Sequence, residues 1–272
     1  MNEVLILIPA YNEEESIGTL LNKLQAARTM DYADVLVIND ASADQTSRIA
    51  RRYPITVIDN IFNLGYGSAL QLGYKYAAKK GYRYVIQIDA DGQHDVSNIQ
   101  DLYDRLRTRD ANGFLPDIVI GSRFLESSRS FPISRVKKLA IQMFRWIVLR
   151  ISGAPILDPT SGLQGLNCRA YHYYSQFQNF NFVYPDANMI IQMMMLGFRV
   201  VEIPSVMHER EAGVSMHAGL IRPLIYMMVM PLSMFSIYFR VKKGIQKQAT
   251  QFAGGAADAE DGSTDAKPTG AA

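Results

Sequence analysis

Two carboxylates one residue apart, Asp89 and Asp91, follow the apolar run Tyr84–Ile88. Leaving a strand with one residue between them, both can lean toward the loop side. Such oxygen donors suit a hard cation, Mg2+ or Mn2+, which completes its shell with water and substrate phosphates. Gln93 supplies a further oxygen in reach. A cation there would act as a Lewis acid on a leaving diphosphate. Other apolar runs end in similar polar clusters: Pro9-Ala10-Tyr11-Asn12-Glu13, Asn39-Asp40-Ala41-Ser42-Ala43-Asp44 and Gly121-Ser122-Arg123. Any one of them reads equally well as a helix cap or a polar loop, and Asp-x-Asp alone is a common accident. Together on one rim of one sheet they make a site.

The surrounding pattern supplies that rim. Val4–Ile8, Val35–Ile38, Ile55–Ile58, Tyr84–Ile88 and Ile118–Ile120 are short apolar runs that read as strands. Helical spacings lie between them: Ile17, Leu20, Leu21 and Leu24; then Ala69, Leu72, Tyr76 and Ala77; then Ile99, Leu102, Tyr103 and Leu106. Asn12 with Glu15 predicts a helix start, and Asp44 predicts the cap of a helix over Thr46–Arg51. The alternation predicts an α/β fold, a doubly wound and mostly parallel sheet. Ligands of such sheets sit at the carboxyl ends of the strands.

Composition narrows the class. The chain has 272 residues, 48% hydrophobic and 20% charged, which excludes collagen-like, coiled-coil and wholly disordered proteins. A net charge of +2 argues against a nucleic-acid partner. One cysteine, Cys168, makes no intramolecular disulfide and fits a reducing compartment. Met1-Asn2-Glu3 lacks the positive start of a secretory signal. Gly65-Tyr66-Gly67-Ser68-Ala69-Leu70 departs from a dinucleotide fingerprint at Leu70 and follows the third strand rather than the first, against a nicotinamide or flavin enzyme. The segment from Ala249 carries a net −3 and a single large apolar residue, Phe252, which predicts a disordered acidic tail over 249–272.

With Asn63-Leu64-Gly65, Asp158-Pro159-Thr160-Ser161-Gly162 and Glu209-Arg210-Glu211-Ala212-Gly213-Val214-Ser215 added, the set in this order resembles family 2 glycosyltransferases of the GT-A fold. Within that family it is most similar to the dolichyl- and polyprenyl-phosphate sugar transferases, over roughly residues 1–220. The resemblance implies an inverting, metal-dependent transfer from a nucleotide-diphosphosugar, UDP- or GDP-linked, to a polyprenyl phosphate. It implies that Pro9, Tyr11 and Glu13 line the nucleotide pocket and that Asp40 meets the base. Asp89, Asp91 and Gln93 would hold Mg2+ or Mn2+ on the diphosphate. Arg123 and Arg135 would take the acceptor phosphate, while Arg210 and Ser215 close over the site. Asn39-Asp40-Ala41-Ser42 departs from the family's more usual Asp-Asp-Gly-Ser, losing a carboxylate and a glycine.

Residues near the acceptor side point toward a membrane surface as partner. From Arg123 to Arg150, Arg123, Arg129, Arg135, Lys137, Lys138, Arg145 and Arg150 face Glu126 alone. Leu139, Met143, Phe144, Ile147 and Ile151 form a helical stripe beside that charge, which suits either a lipid interface or the core. Pro223–Phe239 is an uncharged run, too short as a helix to cross a hydrocarbon core of ~30 Å without tilt, and followed by Lys242, Lys243 and Lys247. Residues 221–248 therefore predict an interfacial or re-entrant helix, held at the cytoplasmic face of a membrane, peripheral or shallowly inserted through 221–243. A tilted span, a buried helix and a small membrane-protein partner stay open.

Rival readings remain in view. The same fold could pass sugar to a saccharide hydroxyl in cell-surface polysaccharide synthesis, with Asp186 as base, although Asp186 after Tyr184-Pro185 reads first as a helix N-cap. A nucleotidyltransferase lacks its Gly-rich basic loop after the first strand. A silent membrane-binding module does not account for Asp40, Asp89, Asp91 and Arg210.

Overall fold

The computed structural model describes residues 2–130, 135–209 and 221–245. Its strands are β1 (Val4–Ala10), β2 (Ala33–Asn39), β3 (Thr56–Asp59), β4 (Tyr84–Gln87), β5 (Ile118–Ser122), β6 (Gln164–Asn167) and β7 (Val200–Pro204). They form one sheet in the order β3-β2-β1-β4-β6-β5-β7. Every pairing is parallel except those of β6, which runs antiparallel to β4 and β5. Chain direction across the sheet reverses between β1 and β4, which opens a crevice at their carboxyl ends.

β1 explains why its run is unbroken apolar. Leu5 and Leu7 enter one core, Val4, Ile6 and Ile8 the other, so both faces are covered. The helices are α1 (Ile17–Ala26), α2 (Thr46–Ala50), α3 (Tyr66–Lys80), α4 (Ser97–Arg107), α5 (Arg135–Ser152), α6 (Cys168–Ser175), α7 (Ala187–Met195) and α8 (Ile221–Arg240). Helices α1 and α4 pack on one face, α3, α5, α6, α7 and α8 on the other.

Local differences from the sequence reading have clear causes. Asn12 starts no helix: its φ is +54°, and its amide and side chain tie the β1 loop to Ser42 and Ala43 of the β2 loop. Helix α1 starts five residues later, where the Glu13 carbonyl accepts from Ser16 and Ile17. Asp44 does the expected capping chemistry, accepting from the Thr46 amide at 2.9 Å. In α3, Ala69 and Ala77 are buried as expected, together with Leu70 and Tyr74, while Leu72 and Tyr76 are only half-buried. Neither β6 nor β7 was expected.

Helix α5 sends Phe144, Ile147 and Val148 into the core, but Leu139 of the expected stripe is exposed, as are Trp146 and Leu149. Met230, Met234 and Ile237 of helix α8 pack into the same core as β1 and α7. The expected acidic tail lies outside the described residues, as does everything from 246 onward.

Close approach sets one glycine. A Cβ on Gly67 would lie 2.4 Å from the Phe182 carbonyl oxygen, which is backbone and cannot swing away. Gly67→Ala should therefore cost about 1–3 kcal/mol, seen as a lower urea midpoint. An unchanged midpoint would mean that the 180–184 segment yields freely.

Candidate active site

The crevice at the ends of β1, β4 and β5 gathers most of the expected residues. Asp89, just beyond β4, has both carboxylate oxygens engaged: Oδ1 accepts from the Tyr66 hydroxyl at 2.9 Å, and Oδ2 lies 3.4 Å from Nε2 of buried His94. A Cβ on Gly162 would come within 2.6 Å of Oδ2, so only glycine lets the carboxylate lie there. Burial works against ionisation, but the His94 and Tyr66 contacts and the Arg123 charge outweigh it and hold Asp89 below the usual carboxylate range. Asp91 is half-buried, and its Oδ1 accepts from the Gln93 amide at 3.0 Å. Gln93 in turn is fastened to His208, through His208 N to Gln93 O at 2.7 Å, just ahead of the expected Arg210.

Arg123 leaves β5 into a buried ion pair. Its Nε and Nη2 meet the Asp158 carboxylate at 2.7 and 2.6 Å, and Nη2 also reaches Thr160 Oγ1 at 2.8 Å. Asp158 is fully buried, and Glu202 on β7 fixes its loop by accepting from the Leu157 and Asp158 amides, each at 2.7 Å. Arg123 thus shares its charge with a carboxylate before any ligand arrives. The Nη1 amino group is the part of the fork without a partner among the described residues.

Asp186 departs most from expectation. It stands at the N-cap of α7, yet its side chain makes no capping bond. Its Oδ2 instead accepts from the Tyr226 hydroxyl of α8 at 3.0 Å. Burial first, then the charges of Asp89 and Asp158, push its carboxyl up to about 6, against the Tyr226 bond and the Arg123 charge. Asp186 therefore belongs to the same electrostatic cluster as Asp89 and Arg123.

The nucleotide-side residues are more structural than expected. Asp40 is 3% exposed and accepts from Asn60 Nδ2 (2.7 Å), Leu64 N (2.9 Å) and Gly65 N (2.7 Å), so its carboxylate shapes the loop that leads into α3. A base would meet only what that arrangement leaves over. Glu13 turns back to Ser16 Oγ at 2.6 Å. Pro9 is buried in β1, and Tyr11 is exposed beside the crevice. Ala41, where the family more often has glycine, takes a left-handed φ of +57°, a conformation that costs a residue with a Cβ roughly 1–2 kcal/mol. Arg210 and Ser215 lie outside the described residues, as does the side chain of Arg135.

Tyr66, Asp158, Gly162 and Tyr226 join the site without having been assigned an individual catalytic or binding role from the residues themselves. Asp158 and Gly162 stood in a motif, and Tyr66 stood in the glycine-flanked stretch after the third strand. Tyr226 carries no sequence signal within its apolar run.

Comparisons with known proteins show the family. The profile described as Glycosyl transferase family 2 matches residues 5–194. The chain belongs to glycosyl transferase family 2. An undecaprenyl-phosphate mannosyltransferase of Micrococcus luteus is 30% identical, over 79% of this chain and 88% of its own. A polyprenol monophosphomannose synthase of Mycolicibacterium smegmatis is 27% identical, over 79% and 81%. Among solved structures, glucosyl-3-phosphoglycerate synthase of Mycobacterium tuberculosis, crystallised with Mn2+, UDP and phosphoglyceric acid, superposes with a TM-score of 0.60. It shares 15% identity over 86% of this chain and 78% of that one, a likeness of GT-A fold. This family 2 protein is a glycosyltransferase.

The donor set fits a divalent cation. Asp89, Asp91 and Gln93 offer hard oxygens of the kind such an ion takes. Among the described residues no group of three His, Cys, Asp or Glu side chains forms a ready-made cage. An ion that draws its shell largely from phosphates and water needs none.

The raised Asp186 carboxyl has a stability consequence. Its neutral form is favoured in the fold, so the contribution is present below the ordinary value of 3.8 and lost as pH rises through about 6. Asp186→Asn removes the charge at every pH. Its urea midpoint, relative to wild type, should rise between pH 4 and pH 8; an equal difference at both would contradict the raised carboxyl.

Proposed function

We propose that this glycosyltransferase moves a sugar from a nucleotide-diphosphosugar to a polyprenyl phosphate at a membrane surface. One observation carries the reading: an anion-handling cleft and an apolar helix meet at a single hydrogen bond, Tyr226 to Asp186. The cleft suits phosphate chemistry. The outer side of α8 shows Ile225, Met228 (71% exposed), Val229, Leu232 (68%), Phe235 and Phe239, and its end carries Lys242 and Lys243. A helix apolar on its outer as well as its core face suits hydrocarbon, and the lysines suit anionic headgroups. The names of the relatives, which act on undecaprenyl phosphate and a polyprenol, support the same acceptor. Among the described residues no helix is long and apolar enough to cross a membrane, so α8 is read as lying in the interface.

In this reading Pro9, Tyr11 and the Asp40-shaped loop border the nucleoside, and the diphosphate lies over the ends of β1 and β4. Asp91, Asp89 and Gln93 would hold Mg2+ or Mn2+, which would supply charge neutralisation for the leaving nucleoside diphosphate. Arg123 offers Nη1 to the acceptor phosphate, joined by Arg135. Arg210 and Ser215 close the site. An acceptor oxygen attacks the anomeric carbon from the side opposite the leaving group, the bond to the diphosphate breaks, and the configuration inverts. A phosphate with its second pKa near ~6 is already largely a dianion at pH 7, so little base help is needed. Positioning and electrostatic stabilisation then supply most of the rate.

A second reading has its own observation. Asp186, freed from capping and pushed up to about 6, is placed and tuned as a base for a saccharide hydroxyl.

The deciding experiment is labelled transfer from UDP- and GDP-sugars into polyprenyl phosphate or an oligosaccharide, with and without chelator. Chelator-sensitive label in an acid-labile lipid is expected; label only in the oligosaccharide would transfer the assignment to the second reading. Asp91→Ala should lower kcat by at least about a hundred-fold with an unchanged urea midpoint. Leu232→Asp should lower co-sedimentation with phosphatidylglycerol vesicles about ten-fold. Undiminished binding would remove α8 from the membrane.

A further inference from the structure

Helix α8 reaches the enzyme's interior through polar side chains, several of which grip one stretch of chain. Tyr226 donates to Asp186; Ser233 Oγ accepts from Asn188 Nδ2 at 2.8 Å and Asn181 Nδ2 at 3.3 Å; Arg240 Nη2 donates to Gln192 Oε1 at 2.8 Å. That stretch, 181–192, carries Asp186 into the cleft. The Tyr226 ring is fixed from two sides, edge-on to Phe144 of α5 (5.7 Å, 83°) and to Tyr184 (5.1 Å, 78°). Its hydroxyl is thus delivered from a rigid seat.

From this we infer that Tyr226 is a positioning residue: it holds the Asp186 carboxylate toward Asp89 and Arg123, and makes α8 part of the active site. An Asp at this position usually takes an amide of the helix start, but in α7 the Met189 amide is already met by Asn188 Oδ1 at 2.8 Å. Tyr226 supplies the Asp186 carboxylate with the partner that the helix start does not. The groups facing Asp186 are Tyr226 from α8, Asp89 beyond β4, Arg123 beyond β5, Asp158 from the loop before β6, and Tyr66 at the start of α3. Among them the Tyr226 hydroxyl alone has a direct hydrogen bond to it. Burial and the neighbouring Asp186 charge hold that hydroxyl far above its ordinary pKa, so it stays a donor throughout the working range. The inference rests on Asp186 acting in the cleft, whichever acceptor it serves.

The test compares full-length wild type, Tyr226→Phe and Ser233→Ala, the last cutting another tie of the same helix. The first readout is the Asp186 carboxyl titration by 13C NMR, assigned with Asp186→Asn. The second is kcat and donor KM across pH 5.5–9 with the acceptor that supports turnover. Loss of a hydrogen bond to the charged form should move the Asp186 titration up by about one unit in Tyr226→Phe. With a saccharide hydroxyl as acceptor, where Asp186 is the base, the acid limb of kcat should move with it, giving about a five-fold loss at pH 6 and almost none at pH 8.5, with donor KM unchanged. Ser233→Ala should move neither. An unmoved titration, or a pH-independent loss matched by Ser233→Ala, would overturn the inference. A moved titration in a protein that transfers nothing to polyprenyl phosphate would support Tyr226's role and defeat the proposed acceptor instead.

Discussion

Three carboxylates share one guanidinium at the ends of β4 and β5, and much of the site follows from how that charge is divided. Asp158 takes Arg123 in a buried two-pronged pair. Asp89 is satisfied by Tyr66 and stands beside His94. Asp186 receives one hydroxyl and is left with its proton held to about pH 6. Carboxylates crowded into one partly buried cleft cannot all ionise cheaply, so their surroundings push them apart. One stays ionised, one is locked in an ion pair, and one is poised.

The frame around them keeps this division fixed. Glu202 from β7 grips the backbone that carries Asp158, which is why an edge strand far along the chain matters to the centre. Gly162 leaves the room that the Asp89 carboxylate occupies. Antiparallel β6 sits between β4 and β5 and follows directly from the Asp158–Gly162 loop, so the loop is pinned between the two strands whose ends hold Asp89 and Arg123. Asp40 shapes the neighbouring loop from the other side.

Helix α8 has to satisfy two environments at once. Its inner side supplies Met230, Met234 and Ile237 to the core and Tyr226 to the cleft, while its outer side is apolar and exposed. The helix that carries this exposed apolar surface thus also touches Asp186 in the cleft.

The sequence by itself determined the alternation of strands and helices, because runs buried on both faces must be apolar, and it determined that Asp89, Asp91 and Arg123 stand at strand ends. It also marked family 2 through an ordered set of short motifs. It could not place β6 and β7, whose short runs carry no periodicity of their own and exist through pairing with β4 and β5. The roles of Asp186 and Tyr226 were equally hidden. An aspartate after Tyr-Pro reads as a helix cap, and a tyrosine among methionines reads as apolar filling. Only the tertiary structure brings α8 across α7, and a hydrogen bond between residues forty positions apart depends on that crossing. Local sequence sets which groups are available, but a buried charge is tuned by whatever the fold places beside it.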